Sequence, residues 1–586
     1  MSFNRMIWAP GTLALCLLSA CGGTTQSDTP QATSTASPQL LATTVSSRKV
    51  SGGSELSTLA TPSPMATTTT VTPAAASHLL AQASFGPTMT SISDVVTRGP
   101  AGWIDYQFTL PLTSHRNHLI QMTTLLGGTN KITPNHFYES FWQQAATGND
   151  QLRQRVTFAL SQIFVVSGVD TNIGARPFGM AGYYDTLNQN AFGNFRDLLQ
   201  AVALHPMMGM YLSHMHNQKE DGTRVPDENF AREIMQLMTI GLYQLNPDGT
   251  LKTSNGKPIE TYSRTDVEGL AKVFTGWSWY GPDKSTLRFL GGVPDPSRDW
   301  MPMQSYPAFH SSADKQFLGV SISGATSPEA DLKVALDTLF MHPNVGPFIG
   351  RQLIQRLVNS NPSPAYVGRV AAKFNDNGSG VRGDMKAVVR AVLLDPEAAA
   401  VGVKLREPVI RLANWMRAFN ARSVSGRFQM PSVDDPLNGL AQNPMLSPSV
   451  FNFYRPGFTP PNTTLSAAGL ASPEMQITSE PSVTGYLNFM RVTVPHGTGP
   501  YNDIQPDYSA EFALGLQQDA LLDRMNLLLF NGSMSSTLRA RLLGALNAVP
   551  TGDLSKASTA LIDNVRWNRV WLAVFLSMAS PEYLVQ

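Results

Sequence analysis

The residues with the best spacing for chemistry lie in one stretch, residues 227–241. Its apolar side chains recur at helical spacing, which predicts an amphipathic helix with one buried face. At about 100° per residue, Asn229, Glu233 and Gln236 form a polar stripe along one edge of that face. A carboxylate and two amides beside buried surface make this stripe the strongest candidate in the chain for a polar site on a rigid element.

The ends of this stretch carry typical helix boundaries. The negative charges of Asp227 and Glu228 suit the positive end of a helix, and Gly241 can end one in a left-handed turn. The sequence therefore predicts a helix from Asp227 to Gly241.

Glu233 is the residue predicted to act as a general acid or base, because partial burial can raise a carboxyl pKa toward the working range. Arg232 lies one step further round the helix, and His310 lies beside a long loop near Lys315. Both are predicted to assist Glu233, with His310 as a proton shuttle or a metal ligand. The alternative for the helix residues is an ion pair or hydrogen-bond network that joins helices, and for His310 a capping or core role.

Residues 205–216 contain three histidines and several methionines, a composition that can bind copper. His205 and His214 are nine positions apart, on opposite faces of a helix. The methionines also suit ordinary core packing. The sequence therefore predicts no metal site and no cofactor.

The chain lacks the local motifs of several common enzyme classes. It has no His-Glu-x-x-His, Gly-x-Ser-x-Gly, phosphate loop, dinucleotide glycine fingerprint or Cys-x-x-Cys-His sequence. These absences argue against the common zinc proteases, serine esterases, nucleotide enzymes and cytochromes c. Hydrolysis by a pair of carboxylates stays open, because it needs no local motif.

The composition describes a chain with a large core and a balanced charge. Of its 586 residues, 42% are hydrophobic and 15% are charged, and 43 Lys and Arg face 42 Asp and Glu. A net charge of +1 provides no electrostatic footprint for nucleic acid, so no nucleic-acid partner is predicted.

The N-terminal segment has the pattern of an export signal. A basic residue, Arg5, precedes a short apolar run, and small residues precede Cys21. The ending resembles the bacterial lipobox, which implies cleavage before Cys21 and a lipid on it. Residues 1–20 are then the signal peptide, and Cys16 is lost with them. Gly22 favours sorting to the outer membrane, facing the periplasm or the cell surface. An ordinary cleaved signal with an incidental Cys21 is the alternative.

The rest of the chain divides into a tether and a body. Residues 21–72 are rich in Ser, Thr and Pro and are predicted to be a disordered tether. Residues 73–586 are predicted to be mainly α, a large multi-helix, bundle-like domain with long irregular loops and at most a small β-hairpin. A boundary within it near residues 420–465 stays open. Arg153 and Arg155 are predicted to lie on a solvated helix edge.

Eight segments in chain order resemble one known family: residues 78–87, 229–241, 266–277, 310–319, 342–353, 382–386, 447–454 and 580–583. The family is the bacterial "domain of unknown function 1800". The resemblance implies an exported, largely helical protein of unestablished activity. Genes of the family often neighbour those of a second exported, sulfatase-like family, which suggests a partner. Phe451, Asn452 and Phe453 stand where many members have a Lys-Gly-Trp segment, which indicates a subgroup.

Three functional hypotheses remain open. The first is a lipid-tethered envelope protein that binds a partner protein or polymer through aromatic loops at residues 280–307 and 444–461, since aromatic side chains on loops suit such contacts. Its predicted binding residues are Asn229, Gln236, Trp277 and Tyr454. The second is a hydrolase of an envelope or extracellular polymer that uses Glu233, and the third is a metal-binding protein.

Overall fold

The computed structural model describes residues 70–400 and 402–586. The predicted signal peptide, Cys21 and most of the predicted tether lie outside these residues. Among the described helices, none combines the length and the apolar composition that crossing a membrane requires.

The prediction of a mainly α protein is confirmed, because the described residues form twenty-four α-helices and only short strands. The first nine are α1 (Pro73–Ala83), α2 (Met89–Thr109), α3 (His115–Leu126), α4 (Pro134–Thr147), α5 (Gln151–Ser161), α6 (Thr171–Gly174), α7 (Pro177–Asn190), α8 (Phe195–Ala203) and α9 (Pro206–Tyr211). The next eight are α10 (Asn229–Gln236), α11 (Arg264–Val273), α12 (Thr286–Phe289), α13 (Pro328–Met341), α14 (Val345–Leu357), α15 (Pro364–Asn375), α16 (Met385–Leu393) and α17 (Pro408–Ala418). The last seven are α18 (Thr464–Ala467), α19 (Glu480–His496), α20 (Ser509–Ala513), α21 (Gln518–Leu529), α22 (Ser536–Asn547), α23 (Thr559–Ala579) and α24 (Pro581–Leu584).

The described strands form four antiparallel two-stranded sheets, where the sequence predicted at most one small hairpin. They pair β1 (Thr253–Ser254) with β2 (Lys257–Pro258), β3 (Trp277–Ser278) with β4 (Gln304–Ser305), β5 (Lys315–Phe317) with β6 (Val320–Ile322), and β7 (Arg422–Ser423) with β8 (Ile504–Gln505). Strands of two or three residues are too short to show an alternating pattern, which is why the sequence did not reveal them.

The centre of the fold is built around two helices that are buried on all sides. Every residue of α17 is buried, and every residue of α5 except Ser161 is buried. A helix without a solvent face lies in the core of a large domain. Arg153 and Arg155 belong to α5 and are buried with it, so the prediction of a solvated edge at these residues is wrong.

Polar residues followed by proline begin new helices at His205-Pro206 and Ser580-Pro581, a pattern that is visible in the sequence. The imidazole of His205 accepts a hydrogen bond from the backbone of Met207 and caps α9. Ser580 caps α24 in the same way. At each of these helix starts, proline occupies the first turn, where its missing N–H costs no hydrogen bond.

Candidate functional site

The polar stripe predicted from the sequence lies on α10, which is shorter than predicted. The helix begins at Asn229, whose backbone donates to the Asp227 carboxylate at 2.8 Å, and Gln236 is its last residue. The chain then turns, and the amides of Ile240 and Gly241 both donate to the Met235 carbonyl. Gly241 has the left-handed backbone expected for it, at a φ of 70°, but it ends this turn and not the helix.

The apolar face of α10 is anchored by aromatic contacts. Phe230 stacks on the imidazole of His214 with ring centroids 3.8 Å apart, and it meets Phe274 edge to face at 4.7 Å. Ile234 and Met235 are also buried. The buried face fixes the helix, so the direction of its polar side chains is set by packing.

Glu233 lies at the boundary between the core and the surface. Its side chain is buried, with 8% of the residue exposed, and its Oε2 has no hydrogen-bond partner. Burial raises the pKa of Glu233 above its ordinary value, although the nearby charge of Arg232 opposes the shift. A carboxyl group in this state keeps its proton to a higher pH than an ordinary glutamate does.

The other members of the stripe bind elsewhere. Arg232 donates to Glu228 at 2.9 Å on the exposed side of the helix. Gln236 accepts a hydrogen bond from the Tyr262 hydroxyl at 3.1 Å, and Asn229 donates to Ser213 at 3.2 Å. The stripe is therefore divided between a buried carboxyl group and an exposed polar edge.

The exposed edge of α10 forms one wall of an open groove of about 560 Å³. The second wall comes from the chain after Gly241 and the third from the start of α11. The lining side chains are Glu228, Arg232, Gln236, Leu242, Tyr243, Glu260, Tyr262, Ser263 and Arg264. We call this feature the α10 groove. It combines paired charges, an amide and two phenol rings on a surface that solvent reaches.

The second wall of the α10 groove is a hairpin arm, residues 242–261. Leu242 and Gln244 pair with the returning chain, through Thr261 N to Leu242 O at 3.0 Å and Gln244 N to Ile259 O at 2.8 Å. The arm ends in β1 and β2, and most of its residues are exposed.

Asn344 holds the arm at its base. Its side-chain amide donates to the carbonyls of Ile240 and Tyr243 at 2.8 Å, and its oxygen accepts from Leu245 N at 2.9 Å. The residue is buried, so these bonds replace water that the backbone cannot reach. Asn344 therefore positions one wall of the α10 groove. In the sequence, Asn344 is visible only as a polar residue after His342 and Pro343, with no signal for this role.

His310 lies in a separate buried network. Its Nε2 is 2.9 Å from Asp331 Oδ2 and its Nδ1 is 2.8 Å from the Thr275 carbonyl, and Lys315 Nζ shares the same Asp331 at 2.9 Å. Within residues 70–400 and 402–586, no hydrogen bond or ion pair joins Glu233 to His310 or to Arg232. The structure therefore does not assemble the three predicted catalytic residues into one centre.

The two predicted aromatic binding residues are both buried. Trp277 is in β3 and contributes a wall to a smaller recess of about 320 Å³, beside Lys284 and Glu329. Tyr454 is enclosed in the interior, where its hydroxyl donates to Gln162 at 3.3 Å.

Other aromatic side chains at the two loops also point inward. Phe289 and Tyr306 are buried, and Phe289 stacks on Phe309 with centroids 3.8 Å apart. The expectation that the loops present their aromatic side chains to a partner is therefore wrong for Phe289, Tyr306 and Tyr454, whereas Tyr280 and Phe451 are exposed. The rings fill core volume that the irregular backbone leaves between helices.

Charged residues that the sequence did not identify as a group lie near Tyr454 in the interior. They are Arg155, Arg356, Lys404, Glu407 and Glu474, and with Tyr454 they form what we call the interior cluster. They come from four separate parts of the chain, because Lys404 and Glu407 are near neighbours and Tyr454 and Glu474 share one segment. The only sequence signal was an isolated charge at a core position of an apolar helix, as at Arg155 and Arg356.

Two histidines of residues 205–216 have structural partners. His205 caps α9, and Nε2–H of His214 donates to the Ala203 carbonyl at 2.8 Å. Burial lowers the pKa of His205 to about 3 and that of His214 to about 4. Across the described parts of the chain, no group of three or more His, Cys, Asp or Glu side chains is arranged to hold a metal ion.

A comparison with protein families gives one match. The model of the family described as "Protein of unknown function (DUF1800)" matches residues 78–585, nearly the whole chain. No curated protein and no solved structure matches the chain.

Proposed function

The chain belongs to the DUF1800 family of proteins of unknown function, and from this premise we propose that it binds a polysaccharide of the cell envelope in the α10 groove. The observation that supports this proposal is the position of the groove. Its wall is formed by the side chains of Glu228, which precedes α10, and of Arg232 and Gln236 on α10. This helix lies within residues 229–241, one of the segments that resemble the family.

The charges of the groove favour a ligand rich in hydroxyl groups. Glu228 pairs with Arg232 at 2.9 Å, and Arg264 pairs with Glu268 at 2.7 Å. Paired charges still present donors and acceptors at their edges, but they exert little net field on an ion. Hydroxyl groups of a sugar suit such a surface, because each can donate to a carboxylate and accept from a guanidinium.

Two tyrosines add surface on which sugar rings can pack. Tyr243 is 41% exposed on the arm, and Tyr262 lies half-buried with its hydroxyl on Gln236. An aromatic ring beside fixed polar groups is the usual composition of a site that orients a polar ligand with an apolar face.

Binding of envelope polysaccharide to Tyr243→Ala tests this proposal. We expect the substitution to weaken binding about tenfold, which corresponds to the loss of one stacking contact. Tyr280→Ala is the matched control, because Tyr280 is also 41% exposed and does not line the groove. Equal binding by both variants and the unchanged protein would rule out the groove. If a peptide or a folded protein binds at Tyr243 and polysaccharide does not, the proposed ligand class is wrong and the peptide or protein takes its place.

A second candidate function is hydrolysis of the bound polymer with Glu233 as the acid or base. Its support is the raised pKa of Glu233 and its unpartnered Oε2, on the helix that forms one wall of the groove. Glu233→Gln keeps the shape of the side chain. We expect the unchanged protein to release reducing ends from the polymer, and this variant to bind polymer normally and release none. Hydrolysis by the variant at the unchanged rate would exclude Glu233 as the acid or base, and no hydrolysis by the unchanged protein would remove the enzyme hypothesis.

The location and the protein partner belong to the same proposal. Export with a lipid on Cys21 would place the groove at the outer membrane, where envelope polysaccharide is present. A second exported, sulfatase-like protein is the proposed protein partner, since some envelope polymers carry the groups that such a protein would recognise. Recovery of that protein with the chain from detergent extracts of the native cells tests the pairing.

A further inference from the structure

The interior cluster is a group of charges fully enclosed by the fold. Its six members are at most 2% exposed: Arg155, Arg356, Lys404, Glu407, Tyr454 and Glu474. Arg155 comes from α5, Arg356 from α14, and Glu407 immediately precedes α17. Tyr454 and Glu474 come from residues 444–479, a segment whose regular structure is limited to α18 and one 3₁₀ turn, Pro473–Ile477.

The two guanidinium groups of the cluster bind only neutral oxygens. Arg155 Nη2 donates to the Arg356 carbonyl at 2.8 Å, and Arg356 Nη2 donates to the Gln162 carbonyl at 2.9 Å. Neither arginine has an ion pair in the described chain. Lys404 pairs with Glu474 instead. Glu407 Oε2 accepts two amide hydrogen bonds, from Gln162 and Gln442, each at 2.6 Å.

Several polar atoms of the cluster remain without a hydrogen-bond partner. The donors are Nε and Nη1 of Arg155 and Nε of Arg356, and the acceptors are Oε1 of Glu407 and Oε2 of Glu474. A buried donor or acceptor without a partner destabilises the folded state, and a charged one does so more strongly. Five such atoms in one enclosed cluster indicate that the side chains are arranged for a group that supplies both kinds of partner.

The charges of the cluster do not cancel. Three cations, Arg155, Arg356 and Lys404, face the two carboxylates of Glu407 and Glu474. An uncompensated buried charge is costly unless a counter-ion joins it. Burial disfavours charge on both kinds of group, since it raises the pKa of Glu474 and lowers the pKa of Arg155 and of Arg356. With all five groups charged, one of the three cations has no counter-charge, so the missing charge is negative.

We propose that the interior cluster is a closed binding site for a small molecule with a carboxylate and a hydroxyl group, and that residues 444–479 are its lid. The carboxylate would accept from the free N–H groups of Arg155 and Arg356. The hydroxyl would donate to Oε1 of Glu407. This site is separate from the α10 groove and does not depend on the function proposed for it.

The lid is attached to the body mainly by side-chain contacts. On the outside, Asn361 and Ala471 exchange two hydrogen bonds of 2.8 Å each. Nearer the cluster, Gln355 donates to the Pro456 carbonyl at 3.1 Å. Contacts of this kind break without disrupting a helix, so local opening of the lid requires less than global unfolding. Asn361 is exposed, so its substitution loosens the lid with little risk to the fold.

Calorimetric titration of the full-length protein with lactate and propionate tests the ligand class, because the two differ only by the hydroxyl group. We expect lactate to bind at least about tenfold more tightly, the effect of one buried hydrogen bond. Glu407→Gln should abolish that difference, and Arg155→Gln should abolish binding of both. Sulfate and inorganic phosphate serve as further probes. Binding of either one without lactate would overturn the proposed class.

Hydrogen exchange tests the lid and does not depend on the stability of the cluster variants. We expect amides of residues 444–479 to exchange faster than those of α17, to exchange faster still in Asn361→Ala, and to slow when lactate is added. Asn117→Ala, at an exposed position of α3, is the control. The proposal is overturned if the lid exchanges as slowly as α17, or if neither the unchanged protein nor Asn361→Ala binds any of the four probes.

Discussion

The guanidinium of Arg232 donates to the carboxylate of Glu228, one helical turn earlier, with 2.9 Å between Nη2 and Oε2. It leaves Glu233, its neighbour in sequence, with a buried oxygen that has no partner. The Arg232–Glu228 pair therefore belongs to the surface of the α10 groove. Glu233 keeps a raised pKa, which affects the stability of the fold and its capacity for proton transfer.

Glu233→Gln should stabilise the protein at neutral pH. Because the folded pKa of Glu233 is above its unfolded value, the folded state keeps a proton that the unfolded state releases, and stability falls as pH rises through that interval. The glutamine cannot ionise and avoids this loss. We expect a gain of about 1 kcal/mol in the free energy of unfolding near about pH 7, and none below the ordinary glutamate pKa. Urea unfolding near neutral pH and below the ordinary glutamate pKa measures this gain. A Glu233→Gln variant that is less stable than the unchanged protein only at the higher pH would contradict this account.

Asn344→Ala should release the hairpin arm. The substitution removes the partners of three backbone groups, at Ile240, Tyr243 and Leu245. We expect a loss of about 3 kcal/mol in the free energy of unfolding and faster amide exchange across residues 242–261. Asn361→Ala also removes two side-chain bonds to backbone, but at the lid, and should leave the arm unchanged. Unchanged exchange in the arm of Asn344→Ala would contradict the positioning role.

The pair Lys404–Glu474 should show strong coupling. Both side chains are buried, so Glu474→Met alone leaves a buried ammonium group without its counter-charge. We expect that variant to lose about 3 kcal/mol, and the double variant Lys404→Met with Glu474→Met to lie within about 1 kcal/mol of the unchanged protein. A double-mutant cycle by chemical denaturation measures the coupling. Additive losses in the two single variants would show that the pair does not interact.

Asp331→Asn should destabilise the protein and remove one source of its acid sensitivity. Burial alone would raise the pKa of Asp331, but hydrogen bonds from Thr326, His310 and Lys315 outweigh it and hold the pKa below its ordinary value. A lowered folded pKa contributes stability above the unfolded value and loses it as pH falls through the folded value. The variant leaves Lys315 without a counter-charge, so we expect a loss of about 3 kcal/mol at neutral pH. Acid titrations of both proteins should converge below the folded pKa of Asp331.

Cys21→Ser should move the protein from the membrane fraction to the soluble fraction. The expected anchor is a lipid on Cys21, and serine cannot accept it through a thioether. Cys16→Ser is the matched control, because Cys16 lies within the predicted signal peptide of residues 1–20. Membrane association of Cys21→Ser at the level of the control would rule out the lipid anchor.

Local signals in the sequence predicted much of the fold. The helical spacing of apolar residues and the polar-proline breaks before α9 and α24 depend on neighbours within a few positions, so they can be recognised without a structure. The mainly α class followed from them, whereas the family was identified from the resemblance of eight segments. The sheets escaped detection because β3 and β4 contain two residues each and pair across a loop.

The candidate site was only partly predictable, for a reason visible at α10. The periodicity placed Asn229, Glu233 and Gln236 on one edge of a helix, but the partner of each is a residue from outside that helix or none at all. The groove could not be predicted, because its second wall is the hairpin arm that Asn344 holds in place.

What the sequence alone determined was the helical character of the body and its helix starts, because those features arise from interactions between near neighbours. It also determined the family, through motifs spread along residues 78–585. Only the tertiary structure decided which charges are buried. Arg155 and Glu407 are far apart in the chain, and their enclosure depends on how α5 and α17 pack together. Burial changes the free-energy cost of a charged group far more than the type of charged residue does, because burial removes the water that would otherwise solvate the charge. The difference between a solvated edge and an enclosed ligand site therefore appears only when the helices are packed.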